Sequence, residues 1–242
     1  MGSGEAWRDA EVAMAFAAER TARVPESRTQ VEVLLHLVRM RPGPTRRIVD
    51  LGCGDAVLLA ALLDAVPEAT GFALDYSPAM LDLAGRRLAC FGSRARVAAI
   101  DLRAPAWCAE VEPPVDLVVS GFAIHHLPDA RKRALYGEIF TLLGPGGSLL
   151  NLEHVASATP TVESVHDEAM IAFQVGVRRA AGDAVDAGAI RAAYHARPDK
   201  ADNILAPAWT QCGWLREMGF VDVDVFWKWF ELALFGGSKP CS

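Results

Sequence analysis

The chain has 242 residues, 52% of them hydrophobic, and a formal net charge of −6 at pH 7. This length suits one sizeable α/β core and is short for two. The acidic balance and the scattered basic residues disfavour nucleic acid as a partner, because no basic stripe is present to neutralise phosphates.

Cysteine use and the start of the chain predict a cytoplasmic protein. The five cysteines are odd in number and form no C-x-x-C pair, which fits a reducing compartment and neither a zinc site nor a disulfide framework. The opening MGSGEAWRDAEV is polar and acidic where a signal peptide would be basic and then apolar. No apolar run in the sequence is long enough to cross a bilayer, so we expect no membrane partner.

The predicted elements begin with helices and continue as alternating strands and helices. WRDAEVAMAFAAER and VPESRTQVEVLLHLVRM have helical apolar spacing, with Ser27 as cap of the second, and RPGP then breaks the chain. Apolar runs between helices indicate βαβ units and a mostly parallel sheet covered on both faces. The predicted strands lie at 48–51, 71–75, 96–101, 115–120 and 148–153, with helices near 55–66, 77–91 and 128–143.

Residues 155–210 differ from the rest because they are rich in Ala, Asp and Arg and show no strand pattern. We predict two or three helices inserted after the fifth strand. A helix near 209–218 and a final pair of strands, FVDVDVFW and FELALF, follow. The expected organisation is one domain over 1–242, with an N-terminal helical cap at 1–44 and a helical lid at 155–210.

A glycine turn, in the stretch VDLGCGDA at 49–56, follows the first strand where nucleotide-like ligands usually bind. The turn lacks the Lys and Ser or Thr of a P-loop and the third glycine of a dinucleotide motif. Asp50 and Asp55 flank it, and two carboxylates suit a ligand that carries positive charge. S-adenosylmethionine carries an ammonium and a sulfonium group and no phosphate, so charge favours it.

This stretch resembles the first motif of the class I S-adenosylmethionine-dependent methyltransferases, usually V-L-D-x-G-C-G-x-G. Ala56 stands where the third glycine falls, a departure that a negative φ would make tolerable. GFALDYSPAMLDLA, RVAAIDLRAP, VDLVVSGFAIHHLPD and LLGPGGSLLNLEHV follow in the order of the family's later motifs. The resemblance spans about 46–154 and resumes at CGWLREMGFVDVDV.

The resemblance implies an α/β, Rossmann-like fold with a seven-stranded sheet in the order 3-2-1-4-5-7-6, the last strand antiparallel and helices on both faces. It implies that Asp75 accepts the ribose hydroxyls of the cofactor and that Asp101 reaches the adenine amino group. Tyr76 and Met80 would pack against adenine. The residues expected to contact S-adenosylmethionine, or its product S-adenosylhomocysteine, are Asp50, Gly52, Cys53, Gly54, Asp75, Tyr76, Met80, Asp101, Leu102, Ser120 and Arg28.

The candidate catalytic residues end the fourth and fifth strands. Methyl transfer needs a base only if the nucleophile arrives protonated, since placement supplies much of the catalysis. His126 matches a position where several relatives carry a substrate-side histidine, and His125 is the second candidate. Glu153 and His154 reach the same rim. The alternatives are a helix cap or packing for the histidines and a hydrogen bond to a neighbouring loop for Glu153.

The remaining aromatic residues and histidines are expected to pack or to be solvated. Trp7 and Phe16 on the N-terminal helix would close one side of the site. No metal is expected, because Ser120-Gly121-Phe122 occupies the loop where catechol-type relatives carry an Asp cluster. The residues that would give the lid a polar lining are His166, His195, Tyr194 and Trp209.

Several functions stay open at this level. The leading one is methylation of a small molecule at O, N or C. The same cofactor motifs would also serve an enzyme that makes carboxy-S-adenosylmethionine or drives a cyclisation, or a protein that binds the cofactor without turnover. RNA or protein methylation is a further alternative. The missing basic patch and the missing D/N-P-P-Y-type motif at the fourth strand disfavour base methylation of nucleic acid, and the helical insertion suits a closed pocket better than a polymer groove.

Overall fold

A computed structural model of the chain describes residues 24–197, 200 and 202–241. The predicted first helix, with Trp7 and Phe16, lies outside the described residues. None of the helices within these ranges has the length and apolar character needed to span a bilayer.

Seven strands form one sheet. They are β1 Arg47–Leu51, β2 Thr70–Asp75, β3 Ala95–Ala99, β4 Val115–Gly121, β5 Leu143–His154, β6 Val221–Trp229 and β7 Leu232–Ser238. Their order is β3-β2-β1-β4-β5-β7-β6. The first five pair in parallel, and β7 pairs antiparallel with both β5 and β6. The predicted strand order and the antiparallel last strand are therefore confirmed.

Helices cover the sheet and fill the insertion. Ser27 is the first residue of its helix and not the cap, which is Glu26. Three short 3-10 turns lie at 89–94, 105–110 and 124–126. The helices are α1 Ser27–Met40, α2 Val57–Ala65, α3 Pro78–Leu88, α4 Asp129–Leu142, α5 Pro160–Ala180, α6 Ala187–Ala196 and α7 Ala208–Glu217.

Alternation along the strands divides the core between the two faces of the sheet. In β1, Val49 and Leu51 enter one apolar cluster with Ile139 of α4. Ile48 enters a second cluster with Leu59 of α2. Successive side chains of a strand point to opposite faces, so even this short strand needs helical cover on both sides. Burial on both faces explains why the strands appear in the sequence as continuous apolar runs.

The insertion packs as a small unit of its own above the carboxyl ends of the strands. Its return to the fold is fixed by Ile204, whose N–H donates to the His125 carbonyl at 2.9 Å. Buried Lys132 of α4 donates to the Ile204 carbonyl and, at 2.7 Å, to Asp129. These bonds hold the returning chain over the loop that follows β4. The apolar residues that join α5 to α6 are Met170, Ile171, Val175 and Tyr194.

Candidate active site

A cavity of about 240 Å³ opens where the parallel strands end. Its walls come from the segments that follow β1, β2, β3 and β4, from the end of β5 and from the insertion. This edge is where open α/β sheets hold their ligands. One half of the cavity is formed by the glycine turn and the ends of β2 and β3, and the other half carries histidines.

The glycine turn is held close against its neighbours by backbone hydrogen bonds. The N–H groups of Gly52 and Cys53 both donate to the Leu74 carbonyl, at 2.8 and 3.0 Å. A Cβ at Gly52 would lie 2.1 Å from the Cβ of Ala123, so no larger residue fits there without a shift. The chain therefore needs glycine at this point to bring the turn against the loop after β4.

Ala56 adopts a left-handed backbone with φ +57° and serves as the N-cap of α2. The negative φ that would have made alanine neutral here is not adopted. A left-handed conformation costs an L-residue roughly 1–2 kcal/mol. The buried methyl group lies in the apolar cluster beneath the turn, which offsets part of that cost.

Asp75 ends β2 and ties the glycine turn to the start of α3. Its two carboxylate oxygens accept from the N–H groups of Gly54 and Ser77, each at 2.8 Å. Ser77 caps α3, and Pro78 occupies its first turn. Burial raises the pKa of Asp75, while the two backbone donors oppose that shift. Each oxygen keeps a lone pair for a ligand hydroxyl, because a carboxylate oxygen can accept more than one hydrogen bond.

An Arg–Tyr–Asp group forms the next part of the wall. Arg103 pairs with Asp101 at 2.8 Å, and its guanidinium lies 4.6 Å from the centre of the Tyr76 ring. All three residues line the cavity beside Met80 and Leu102. The predicted adenine-side residues are thus brought together, and Arg103 joins them as a residue that the sequence did not single out.

His125 and Glu153 form a buried dyad at the centre of the site. Nδ1 of His125 lies 2.5 Å from Oε1 of Glu153. The Glu153 carboxylate also accepts from the backbone N–H groups of His125 and His154, at 3.0 and 2.9 Å. Two backbone N–H donors favour the Glu153 anion, and an anionic oxygen 2.5 Å from the ring nitrogen places the His125 ring proton on Nδ1. Nε2 then carries the lone pair.

Burial shifts the pKa values of the two dyad residues, His125 and Glu153, in opposite directions. It lowers the pKa of His125 well below the usual value, and His154 adds to that effect. It raises the pKa of Glu153 to about 7, against the backbone N–H of His154. Both shifts disfavour charge separation within the pair. Neutral His125 is the state that can accept a proton, and a side-chain hydrogen bond with Asn203 opposes the lowering of its pKa.

His126 points to a different part of the cavity wall. Its Nδ1 donates to the Asp202 carbonyl at 3.2 Å, and burial lowers its pKa to about 4. Its ring centre lies 3.9 Å from that of His125. The 3-10 turn at 124–126 separates the directions of the two side chains, so that only His125 meets Glu153.

A second group of titratable side chains occupies the far wall. Nε2 of His154 lies 3.0 Å from Oε2 of Glu231, and Nε2 of His166 lies 3.6 Å from the same oxygen. His166 and Glu231 are almost fully buried. Burial lowers the pKa of His166 to about 4, with Glu231 opposing.

A comparison with known sequences assigns the part of the chain that carries this cavity. Residues 48–147 match the family described as methyltransferase domain. Residues 48–147 form a methyltransferase domain, and the described chain has the methyltransferase fold.

Relatives of this methyltransferase domain differ in activity. Trans-aconitate 2-methyltransferase of Methylobacterium radiotolerans is 35% identical over 127 residues, 52% of this chain and 45% of that protein. Carboxy-S-adenosyl-L-methionine synthase of Campylobacter lari is 22% identical over 234 residues, 96% of this chain and 93% of that protein. The chain thus spans about half the length of the first relative.

Among solved structures, an O-methyltransferase family protein from Burkholderia thailandensis matches with a TM-score of 0.68 at 20% identity. The match covers 98% of this chain and 62% of that one. At this identity the likeness shows the methyltransferase fold and leaves the acceptor unspecified.

Three residues predicted to contact the cofactor lie away from the cavity of the methyltransferase domain. Arg28 has a side chain that is 92% exposed and pairs with Glu32 at 2.8 Å on its own helix. Ser120 is buried and donates to the Leu51 carbonyl at 2.7 Å. Asp50 is buried inside β1, two residues before the glycine turn. Arg28, Ser120 and Asp50 therefore do not line the cavity.

The other predicted residues of the methyltransferase domain have mixed placements. Glu153 reaches the cavity only through His125. Trp209 is 61% exposed, and it and His195 do not line the cavity. Of the wall residues, Arg197 and Asn203 were not predicted. The predicted residues that line the cavity are Gly52, Cys53, Gly54, Asp75, Tyr76, Met80, Asp101, Leu102, His125, His126, His154, His166 and Tyr194.

Proposed function

We propose that this chain transfers the methyl group of S-adenosylmethionine to an O, N or C atom of a small-molecule acceptor. The observation that carries the proposal is the position of the His125–Glu153 dyad, in the same cavity as the glycine turn and Asp75. A nucleotide-like ligand on the turn and a base beside it are the two components needed for transfer to an acceptor that arrives protonated.

The residues present fit this cofactor. The turn at 52–55 contributes backbone groups and one carboxylate, that of Asp55, to the cavity wall. It contributes no cationic side chain that could bind a phosphate. Asp75 keeps lone pairs for the ribose hydroxyls, and Tyr76, Met80 and Leu102 offer flat and apolar surface for adenine. When bound, S-adenosylmethionine supplies a methyl group made electrophilic by the sulfonium.

The dyad would serve an acceptor that arrives protonated. Glu153 holds the Nδ1 proton of His125 and so leaves Nε2 as the proton acceptor. An acceptor hydroxyl or amine would give its proton to Nε2, with the electron pair left on the acceptor atom. Glu153 also steadies the ring by accepting the backbone N–H of His125 at 3.0 Å. Glu153 is therefore a positioning residue.

The cavity volume of about 240 Å³ and the net charge of −6 support a small acceptor over a nucleic acid. Trans-aconitate, named in the first relative, is an example of such a size. The five free cysteines support a cytoplasmic location.

The direct test is product analysis. Purified chain would be incubated with S-adenosylmethionine and panels of phenols, carboxylic acids and amines, followed by mass spectrometry of the acceptor and nucleoside products. We expect one acceptor class to gain a single methyl group together with formation of S-adenosylhomocysteine. Absence of transfer across all panels, together with absence of S-adenosylhomocysteine binding by calorimetry, would overturn the proposal.

A second candidate function is synthesis of carboxy-S-adenosylmethionine. It is favoured by the full-length similarity to the Campylobacter lari synthase and by a cation on the cavity wall, Arg197, stacked 4.5 Å from the Tyr194 ring. A guanidinium is the side chain best suited to hold a carboxylate. The same mass spectra distinguish the two functions, because this one adds a carboxyl group to the nucleoside and leaves the acceptor unmethylated.

We propose further that the segment 155–210 acts as a lid that closes over the acceptor. Its helices supply His166, Met170 and Tyr194 to the cavity wall. Hydrogen exchange in α5 and α6 should slow when S-adenosylhomocysteine and an acceptor are bound, since closure protects amides that otherwise open locally. Exchange in α4 serves as the internal control and should stay constant. Equal exchange of α5 and α6 in both states would contradict the lid.

A further inference from the structure

Three side chains from separate elements converge on one point at the far wall of the cavity, which His154 and His166 line and behind which Glu231 lies. His154 comes from the end of β5, His166 from α5 and Glu231 from the turn between β6 and β7. Both histidine Nε2 atoms approach the same oxygen, Oε2 of Glu231, at 3.0 and 3.6 Å. All the nitrogen and oxygen atoms concerned lie within 4.8 Å of one another.

These spacings are those of ligands around one ion. Zn²⁺ binds imidazole nitrogen and carboxylate oxygen at about 2.0–2.2 Å. Tetrahedral ligands at that length lie about 3.4 Å apart, and octahedral neighbours about 3.0 Å apart. Two of the three ligand separations, 3.0 and 3.6 Å, bracket these values, and the third, between the two histidines, is within 4.8 Å. Two nitrogens and one carboxylate suit Zn²⁺, Fe²⁺, Co²⁺ or Ni²⁺, whereas Ca²⁺ and Mg²⁺ prefer all-oxygen sets.

We propose that His154, His166 and Glu231 bind a divalent transition-metal ion of the Zn²⁺ class, with an open coordination position that faces the cavity. Three protein ligands plus one open position is the arrangement of catalytic sites, and structural sites are closed by four.

The surroundings support the site. Glu231 is held from outside the cluster by the Ser157 side chain, and its carbonyl accepts from the Val155 N–H at 2.7 Å. Such outer contacts fix the orientation of metal ligands. The site lies beside the proposed base, because the ring centres of His154 and His125 are 5.7 Å apart.

This placement defines the class of acceptor. The inference rests on the proposed function in one respect, namely that the open position holds the acceptor. A hydroxyl, thiol or carboxylate bound there would sit next to His125. A bound divalent ion also makes a hydroxyl or thiol easier to deprotonate. The site therefore favours oxygen or sulfur acceptors over carbon acceptors.

One hydrogen-bond contact disfavours metal binding by His166. The backbone N–H of Glu231 approaches Nδ1 of His166 at 3.5 Å, whereas binding through Nε2 needs the proton on Nδ1. This distance is beyond the usual range of N–H hydrogen bonds, so the opposition is weak. The competing arrangement is a metal-free set of hydrogen bonds in which Glu231 links α5 to the end of β5.

Calorimetry with Zn²⁺ alone on the chelator-treated full chain tests the site, with Co²⁺ as a spectroscopic probe of coordination. We expect about one equivalent of bound Zn²⁺ and the visible bands of low-coordinate Co²⁺. His166→Leu and Glu231→Gln should each weaken Zn²⁺ binding by at least about 100-fold. His195→Leu is the matched control, because this histidine is half-exposed on α6 and should leave Zn²⁺ affinity unchanged.

S-adenosylhomocysteine affinity, measured on every variant, separates the two proposals and reports folding. Unchanged cofactor affinity with absent Zn²⁺ binding overturns the metal site alone. If wild type, His166→Leu and Glu231→Gln bind Zn²⁺ with equal affinity, the ion binds elsewhere in the chain. That result also overturns the proposed metal site. Should His166→Leu lose cofactor affinity through misfolding, the nearly isosteric Glu231→Gln decides the question.

Discussion

Replacing His125 by asparagine should lower the rate of methyl transfer by about 10²–10⁴-fold, the usual contribution of a general base. Asparagine keeps an N–H close to the Nδ1 position that faces Glu153 and removes Nε2. Affinity for S-adenosylhomocysteine should be nearly unchanged, because the base acts on the acceptor. Single-turnover rates and calorimetry on the same preparation measure the two quantities.

His126→Asn is the matched control, with the same substitution on the adjacent residue. Nδ1 of His126 donates to a backbone carbonyl, at 3.2 Å, whereas Nδ1 of His125 faces the Glu153 carboxylate. Its replacement should therefore change the rate little. A large loss in His126→Asn together with a silent His125→Asn would show that the dyad is structural and that His126 is the base. Equal rates in both variants and wild type would mean that placement alone carries the reaction.

Replacing Asp75 by alanine should weaken S-adenosylhomocysteine binding by about 10–150-fold, since loss of a charged hydrogen bond costs roughly 1.5–3 kcal/mol. Two effects add here. The ligand hydroxyls lose their acceptor, and the Gly54 and Ser77 N–H groups lose theirs. Calorimetry measures the affinity, and thermal unfolding measures the second effect separately.

Asp82→Ala removes the same charge from the exposed side of α3 and is the control. Its cofactor affinity should equal that of wild type. Asp75→Asn keeps one oxygen acceptor, so its affinity should fall between those of wild type and Asp75→Ala. Affinity of Asp75→Ala within a factor of about two of wild type would contradict the ribose assignment, because that is far below the expected cost.

The cofactor half of the site was predictable because its residues follow strand ends in chain order. Asp75 and Asp101 each come directly after an apolar run, and carboxyl ends of parallel strands meet at one edge. The same rule suggested Ser120, but this residue is the penultimate one of β4, and it donates to a neighbouring strand. Period-two alternation decides which residue of a strand end faces a cavity, and a motif alone does not fix that register.

The acceptor half was only partly predictable. Glu231 lies in a tight turn between two late strands, and it meets His166 from 65 residues earlier through tertiary packing alone. The choice between His125 and His126 depends on a single 3-10 turn, a conformation that leaves no periodic signal in three residues. The position of Arg197 on the cavity wall could not be predicted either, because its neighbours in the sequence form no motif.

The position of β7 affects how this fold can be reached during synthesis. β7 comes after every other strand in the described chain, yet it lies between β5 and β6. Until it is made, the outer edge of β5 exposes a row of unpaired N–H and C=O groups along a long apolar strand. Such an edge invites pairing with another chain. We therefore expect the β5 edge to be the site most open to pairing with another chain until β7 has been synthesised.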